Sequence, residues 1–238
     1  MKRRTIKQRV ITLCLLLPFA GAPAWTDDQS GLPFQDESLH YTVNWPSGLT
    51  LGEATLTAHR AAGEWNLDLT LDAGIPGLRI ADRFHSVTRP DFCSVQLNRE
   101  ISHGARKTSE TTVFDHDKGL AHRTSLNGGS SDLLIPTHCA WDALAFLYVA
   151  RRALAQGIAP QGHQVYLGPA YMIGLESKGA QTVTVGGKPE VSDRIAVSVK
   201  GPGSSSNFEM FFARDSARTP LLARIPSSLG TISLELSR

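Results

Sequence analysis

The chain has 238 residues, 24 Lys and Arg against 22 Asp and Glu, and 41% hydrophobic residues. That is enough apolar material for a core in one large β domain or two small ones, and the near balance of charge gives no basic excess for nucleic acid. Five of the basic residues fall within the first nine positions, so the remainder carries 19 basic against 22 acidic, a net of −3.

Lys2, Arg3, Arg4, Lys7 and Arg9 are followed by an apolar run from Val10 to Phe19 and then by Ala20-Gly21-Ala22-Pro23-Ala24. A positive segment, a short apolar run and an A-x-A site together read as a secretory signal. The run is well short of the ~20 residues a spanning helix needs, and no later stretch is long enough either. Cleavage is expected after Ala24, with Ala22 as the alternative, and the location is expected to be the periplasm or outside the cell. Cys14 follows Leu13 inside the run rather than a small residue at its end, which speaks against a lipid-modified cysteine. Residues 25–38 read as a polar linker around Gly31-Leu32-Pro33, and residues 39–238 as a single β-rich domain.

Period-2 alternation then recurs. Leu39, Tyr41, Val43 and Trp45 share a face before a turn at Pro46-Ser47-Gly48, and Leu49, Leu51, Ala54 and Leu56 follow with Gly52 as an expected bulge. After Ala61-Ala62-Gly63, the residues Trp65, Leu67, Leu69 and Leu71 alternate with Glu64, Asn66, Asp68 and Thr70, the clearest half-buried strand in the chain. Further strands are expected over Ile80–Thr88, Cys93–Ile101, Ser109–Phe114 and Leu120–Leu126, the last two joined by the hairpin loop Asp115–Gly119.

The segment 140–156 breaks the pattern. Trp141, Leu144, Ala145 and Tyr148 recur at helical spacing, Asp142 suits the first turn, Arg151 and Arg152 lie toward the other end, and Gly157 and Pro160 stop the helix. Strands resume at Val183–Val185, Ile195–Val199, Phe208–Phe212 and Ile232–Leu236, with Gly201–Ser206 as a flexible interruption. The fold expected is mainly β: a curved antiparallel sheet, sandwich or barrel-like, with one packed α-helix.

The ordered set of patterns resembles the secreted bacterial family catalogued as domain of unknown function 3108. It is carried by Tyr41-Thr42-Val43-Asn44-Trp45 with Gly52 and Ala54, Phe114-Asp115, the helix Trp141–Tyr148, Asp215 with Thr219-Pro220-Leu221, and Gly230 before the last strand. The resemblance implies an envelope protein dominated by strands and transfers no catalytic residues.

Two cysteines follow the leader, Cys93 and Cys139. They are outside the family pattern, and the expectation of a disulfide rests on the oxidising compartment alone; two buried thiols or metal ligands are the alternatives. For hydrolysis, Ser130 or Ser131 with His138 and Asp142 lie close in sequence, but there is no G-x-S-x-G elbow, and the plainer reading is a Gly/Ser loop before a helix. Asp115, His116, Asp117 and His122, or His138 with Cys139, offer metal-ligand types at no standard zinc spacing, and His59, His85, His103 and His163 are scattered. No catalytic residue, metal or cofactor is assigned. The remaining candidate is an apolar surface: Trp45, Trp65, Phe208, Met210 and Phe212 hold alternating strand positions and could line the concave side of the sheet around an apolar small molecule or lipid, the plainer reading being core packing under the helix. An envelope protein partner, recruited through a strand edge, is the alternative.

Overall fold

A computed structural model of the chain describes residues 36–237 except 76, 127, 228 and 229, with the side chain of residue 75 also outside the description. The leader, the cleavage site at Ala24 and nearly all of the linker lie outside the described residues.

Among the described residues, fifteen strands and one helix follow one another. The first eight are β1 (Glu37–Asn44), β2 (Thr50–Ala61), β3 (Glu64–Ile75), β4 (Leu78–Thr88), β5 (Ser94–His103), β6 (Arg106–Asp115), β7 (Leu120–Ser125) and β8 (Ser130–Leu134). A two-residue β9 (Trp141–Asp142) leads into α1 (Ala143–Ala155) and β10 (His163–Tyr166). The chain ends with β11 (Ala170–Val185), β12 (Lys188–Gly201), β13 (Ser204–Ala213), β14 (Pro220–Ser227) and β15 (Gly230–Leu236). Β1 begins at Glu37, so the last two residues assigned to the linker are strand.

Neighbouring strands are joined by tight hairpins because the turn residues permit it. Between β2 and β3, Ala62 and Gly63 both take positive φ, 52° and 86°, the combination that matches the right-handed twist of the flanking strands. The expected irregularity at Gly52 is present one residue away: the β1–β2 register passes from Val43↔Gly52 to Asn44↔Thr50, leaving Leu51 extra. Gly52 itself is needed for close approach, since a Cβ there would lie 2.0 Å from the Asp72 carbonyl oxygen.

All strands form one sheet, in the order β8-β7-β6-β5-β4-β3-β2-β1-β15-β14-β13-β12-β11-β10-β9. First and last strands pair in its middle, Tyr41 opposite Leu236 and Val43 opposite Leu234. The sheet curls until its two ends meet. The Ser94 amide donates to the Ala140 carbonyl at 2.9 Å, and the Tyr166 hydroxyl donates to the Leu134 carbonyl at 3.0 Å. Leu97, Phe114, Ala121 and Ile135 from one arm pack with Ala140 and Tyr166 from the other. The architecture is therefore barrel-like, and α1 sits inside the curl.

The helix starts at Ala143 rather than Ala140, because Trp141 and Asp142 pair in parallel with Val165 and Tyr166 of β10 before the chain turns. Leu144, Ala145 and Tyr148 enter the main core with Trp65, Leu67, Phe211 and Leu222. Trp65, Phe92 and Tyr148 stack in series at 5.8 and 5.6 Å between ring centroids. Β8, β10 and β14 were not expected from the sequence. Β8 is short and mostly polar, β10 has only four residues, and β14 carries Pro220 and Pro226, which breaks a strand signature. The first half of β11 was hidden by a register shift between Ser177 and Ala180, where exposed residues interrupt the alternation.

Candidate functional site

Helix α1 is apolar on more than one face. From Ala143 to Ala150 every residue is apolar or aromatic, the signature of a helix surrounded by protein. The face made by Leu144, Ala145 and Tyr148 packs on the β1–β4 side. The other, formed by Ala143, Phe146, Leu147, Ala150 and Leu154, looks across at the inward residues of β11, β12 and β13.

These two surfaces meet only in part, where Leu154 and Leu147 pack with Ile195, Val197 and Phe212. Between them is a cavity of about 320 Å³, walled on the sheet side by Leu175, Ile195, Val197, Phe208, Met210 and Phe212 among others. Every residue lining it is apolar except Tyr171. The volume is about twice that of the ~150 Å³ Leu/Ile/Phe-lined cavity that stays dry and takes up benzene, and it lies at the small end of the ~300–1,000 Å³ range of ligand sites.

Three of the five residues expected to line an apolar site are on this wall: Phe208, Met210 and Phe212, at alternating positions of β13. The other two are elsewhere. Trp65 is 3% exposed in the main core against Phe92, and Trp45 lies at the β1–β2 turn, its amide donating to the Leu49 carbonyl. Alternation assigns a residue to one face of a strand, but not to the part of that face the helix covers. The helical wall was missed because only the Trp141/Leu144/Ala145/Tyr148 stripe was read; the unbroken apolar run 143–150 was the available signal.

On its opposite side the helix is fixed by a buried clamp. Arg151, fully buried, places both terminal nitrogens on Glu37 of β1, with Nη2 3.0 Å from Oε2. Its Nε donates to the Ala217 carbonyl at 3.1 Å, and its guanidinium stacks 4.8 Å from the centre of the Tyr148 ring. The Tyr148 hydroxyl donates to Glu37 Oε1 at 2.8 Å. Burial pushes the Tyr148 hydroxyl well above its ordinary pKa, reinforced by the Glu37 charge, so it remains a donor.

The helix start is fixed as firmly. Asp142 is the N-cap: one carboxylate oxygen accepts from the amides of Leu144 and Ala145 at 2.9 and 3.0 Å, the other from Ser86 and Ser94 hydroxyls at 2.6 Å each. Complete burial pushes its carboxyl above the usual range against those four donors. Beside it, Cys93 and Cys139 form a disulfide with Cα atoms 5.1 Å apart, tying the start of β5 to the approach to β9.

The catalytic candidates are thereby placed apart in role. Asp142 is occupied by its four donors, His138 is exposed and offers its carbonyl to Arg89 at 3.0 Å, and Ser130 and Ser131 are exposed on β8 opposite Thr124 and Arg123. Among the residues considered as metal ligands, Cys139 is in the disulfide. Asp115 binds the Lys118 ammonium at 2.7 Å, His116 Nε2 lies 2.9 Å from the Ser94 carbonyl, and His122 pairs with Asp132 at 2.6 Å. Among the described residues no group of three or more His, Cys, Asp or Glu is placed to hold a metal ion.

A family described as "protein of unknown function (DUF3108)" matches residues 40–237. No curated protein matches the chain significantly. Of solved structures, a β-barrel-like protein of the domain of unknown function DUF1849 from Brucella abortus superposes with a TM-score of 0.59 at 8% identity, over 86% of this chain and 96% of that one. A candidate lipoprotein from Parabacteroides distasonis aligns with a TM-score of 0.34 at 6% identity, over 86% of this chain and 95% of that one. A candidate exported protein with a YmcC-like fold from Bacteroides fragilis gives 0.32 at 5%, over the same shares. The first likeness shows a shared barrel-like fold.

Proposed function

The chain belongs to the DUF3108 family of proteins of unknown function, and on that premise we propose that it is an exported periplasmic domain acting as a non-catalytic binding module for an apolar ligand, held between α1 and β11–β13. One observation carries the reading: a helix apolar on opposite faces is packed along one of them and touches the sheet only in part on the other, leaving about 320 Å³ of apolar space. Close packing is the rule in protein interiors, and a void of this size leaves its lining without partner atoms. A ligand would supply them. Export is supported by the basic-then-apolar start with its Ala24 site and by the Cys93–Cys139 disulfide, which persists in an oxidising compartment.

Pairing with an envelope protein through a strand edge has less support, because the sheet's terminal strands are short, five residues in β8 and two in β9.

The test is native mass spectrometry of the protein purified from its own envelope without detergent. A releasable apolar adduct is expected, and it should be lost in Ala150→Phe, which projects a ring into the void. An adduct-free protein that also takes up no added apolar compound would remove the reading.

A further inference from the structure

The cavity is not the same at its two ends. On the inward face of β11–β13, cross-strand partners form successive rows. Asp193 lies opposite Phe212, Ile195 opposite Met210, Val197 opposite Leu175 and Phe208, and Val199 opposite Ile173 and Ser206. The last row is Gly201 opposite Ser204, with Tyr171 beside them. Burial falls in that direction: Ile195 is 1% exposed and Phe212 2%, Tyr171 and Ile173 are half-buried, and Ser204 and Ser206 are exposed.

At the Asp193 end of these rows the charge is already neutralised. The Asp193 carboxylate receives Arg214 at 2.6 Å and Arg218 at 2.7 Å. The open end carries hydroxyl groups instead. Tyr171 lies across Gly201, where a Cβ would come within 2.3 Å of its ring. Ser204 and Ser206 continue the same face of β13 beyond Phe208, so three hydroxyl-bearing side chains occupy this end. His163, opposite Ile173 on the same face, packs its ring 5.8 Å from Phe146. Lys200, one position off in the alternation, belongs to the other face with Met172. Among the described residues, this inward face presents no Lys, Arg, Asp or Glu between the Asp193 row and the hairpin tip.

Taking the cavity reading above as given, we infer that the ligand is a single-chain amphiphile with an uncharged, hydroxyl-bearing head, inserted tail first with its head at the Tyr171–Ser204–Ser206 rim. At ~30 Å³ for each water-sized group, about 320 Å³ accommodates roughly ten chain carbons and excludes a second chain. A carboxylate or phosphate head would stand half-desolvated at the rim without a cation to pair it, whereas a glycerol or alcohol head finds donors and acceptors.

The experiment uses displacement of the neutral fluorophore N-phenyl-1-naphthylamine at pH 8, with competitors below their micelle concentrations. Wild type should bind the fluorophore and Ala150→Phe should not. Fluorophore binding unaffected by that filling, or no binding, would sink the cavity reading itself. With binding established, 1-decanoylglycerol should compete at least tenfold better than decanoate; equal or better competition by decanoate would overturn the inference while leaving the cavity reading standing. Within the monoacylglycerols, affinity should rise about fourfold per methylene up to about ten carbons and then level. A continued rise to fourteen carbons would contradict a single closed-ended tail site. Ser204→Ala with Ser206→Ala and Tyr171→Phe should weaken decanoylglycerol roughly tenfold more than it weakens the fluorophore. No change in decanoylglycerol competition would take the head away from this rim.

Discussion

Replacing Glu37 by Ala removes the carboxylate that receives both terminal nitrogens of Arg151, a guanidinium whose side chain has no exposed surface. Breaking a buried pair from one side costs about 3–5 kcal/mol, because the remaining charge stays desolvated. Against a typical total stability of ~5–15 kcal/mol that is a large fraction, and it should lower the melting temperature by roughly 10 °C. The Tyr148 hydroxyl loses its 2.8 Å hydrogen bond to Glu37 in the same step. The double variant Glu37→Gln with Arg151→Met removes both charges and should recover at least half of the loss, since an apolar replacement of a buried pair is often neutral. Urea unfolding of wild type, both singles and the double gives the coupling directly. A Glu37→Ala protein within about 1 kcal/mol of wild type, or strictly additive singles, would refute the clamp. The consequence for function follows from geometry: without the clamp the helix is free to settle toward β11–β13, so Glu37→Ala should also bind less fluorophore in its folded state.

Serine at both Cys93 and Cys139 opens a bridge spanning 46 positions and should cost about 4 kcal/mol by chain entropy, read as a lower urea midpoint that wild type reproduces only in reductant. Asp142→Ala removes the cap and leaves Ser86 and Ser94 hydroxyls without their acceptor, for a loss of about 2–4 kcal/mol by thermal unfolding, with Asp142→Asn in between. Burial works to raise the Glu110 carboxyl, but hydrogen bonds and charge from Arg123 and Arg99 outweigh it and hold the pKa below the usual range. Its stabilisation is therefore complete above the unfolded value of ~4.3 and is lost as pH falls through the lower folded value. Glu110→Gln should flatten that part of the acid dependence in urea midpoints taken from pH 6 to 3; an unchanged slope would dismiss the pairing.

How far the sequence reached depended on the range of each signal. Strand β3 was legible because Trp65, Leu67 and their outward neighbours alternate locally, and the helix because its apolar positions recur within 13 residues. Phe208, Met210 and Phe212 could be put on one face by the same period. Their meeting with Phe146, Leu147, Ala150 and Leu154 could not, since it depends on how far the sheet curls around the helix. Glu37 was the deepest miss. It sits at the end of a polar stretch, and its partner is 114 positions away, so nothing local distinguishes it from a linker residue. Asp142 was read as a dipole partner in the first turn. Its role as a buried cap held by Ser86 and Ser94 needed β4 and β5 to be in place.

The site itself is tested most directly by methyl NMR of the wild-type protein during titration with 1-decanoylglycerol. Saturable shifts confined to Leu154, Ile195, Val197 and Met210, with Leu67 and Leu221 in the main core unmoved, are the predicted result. Shifts spread over exposed methyls such as Leu126 and Leu134 with the cavity methyls silent would mean that the space beneath α1 holds no ligand.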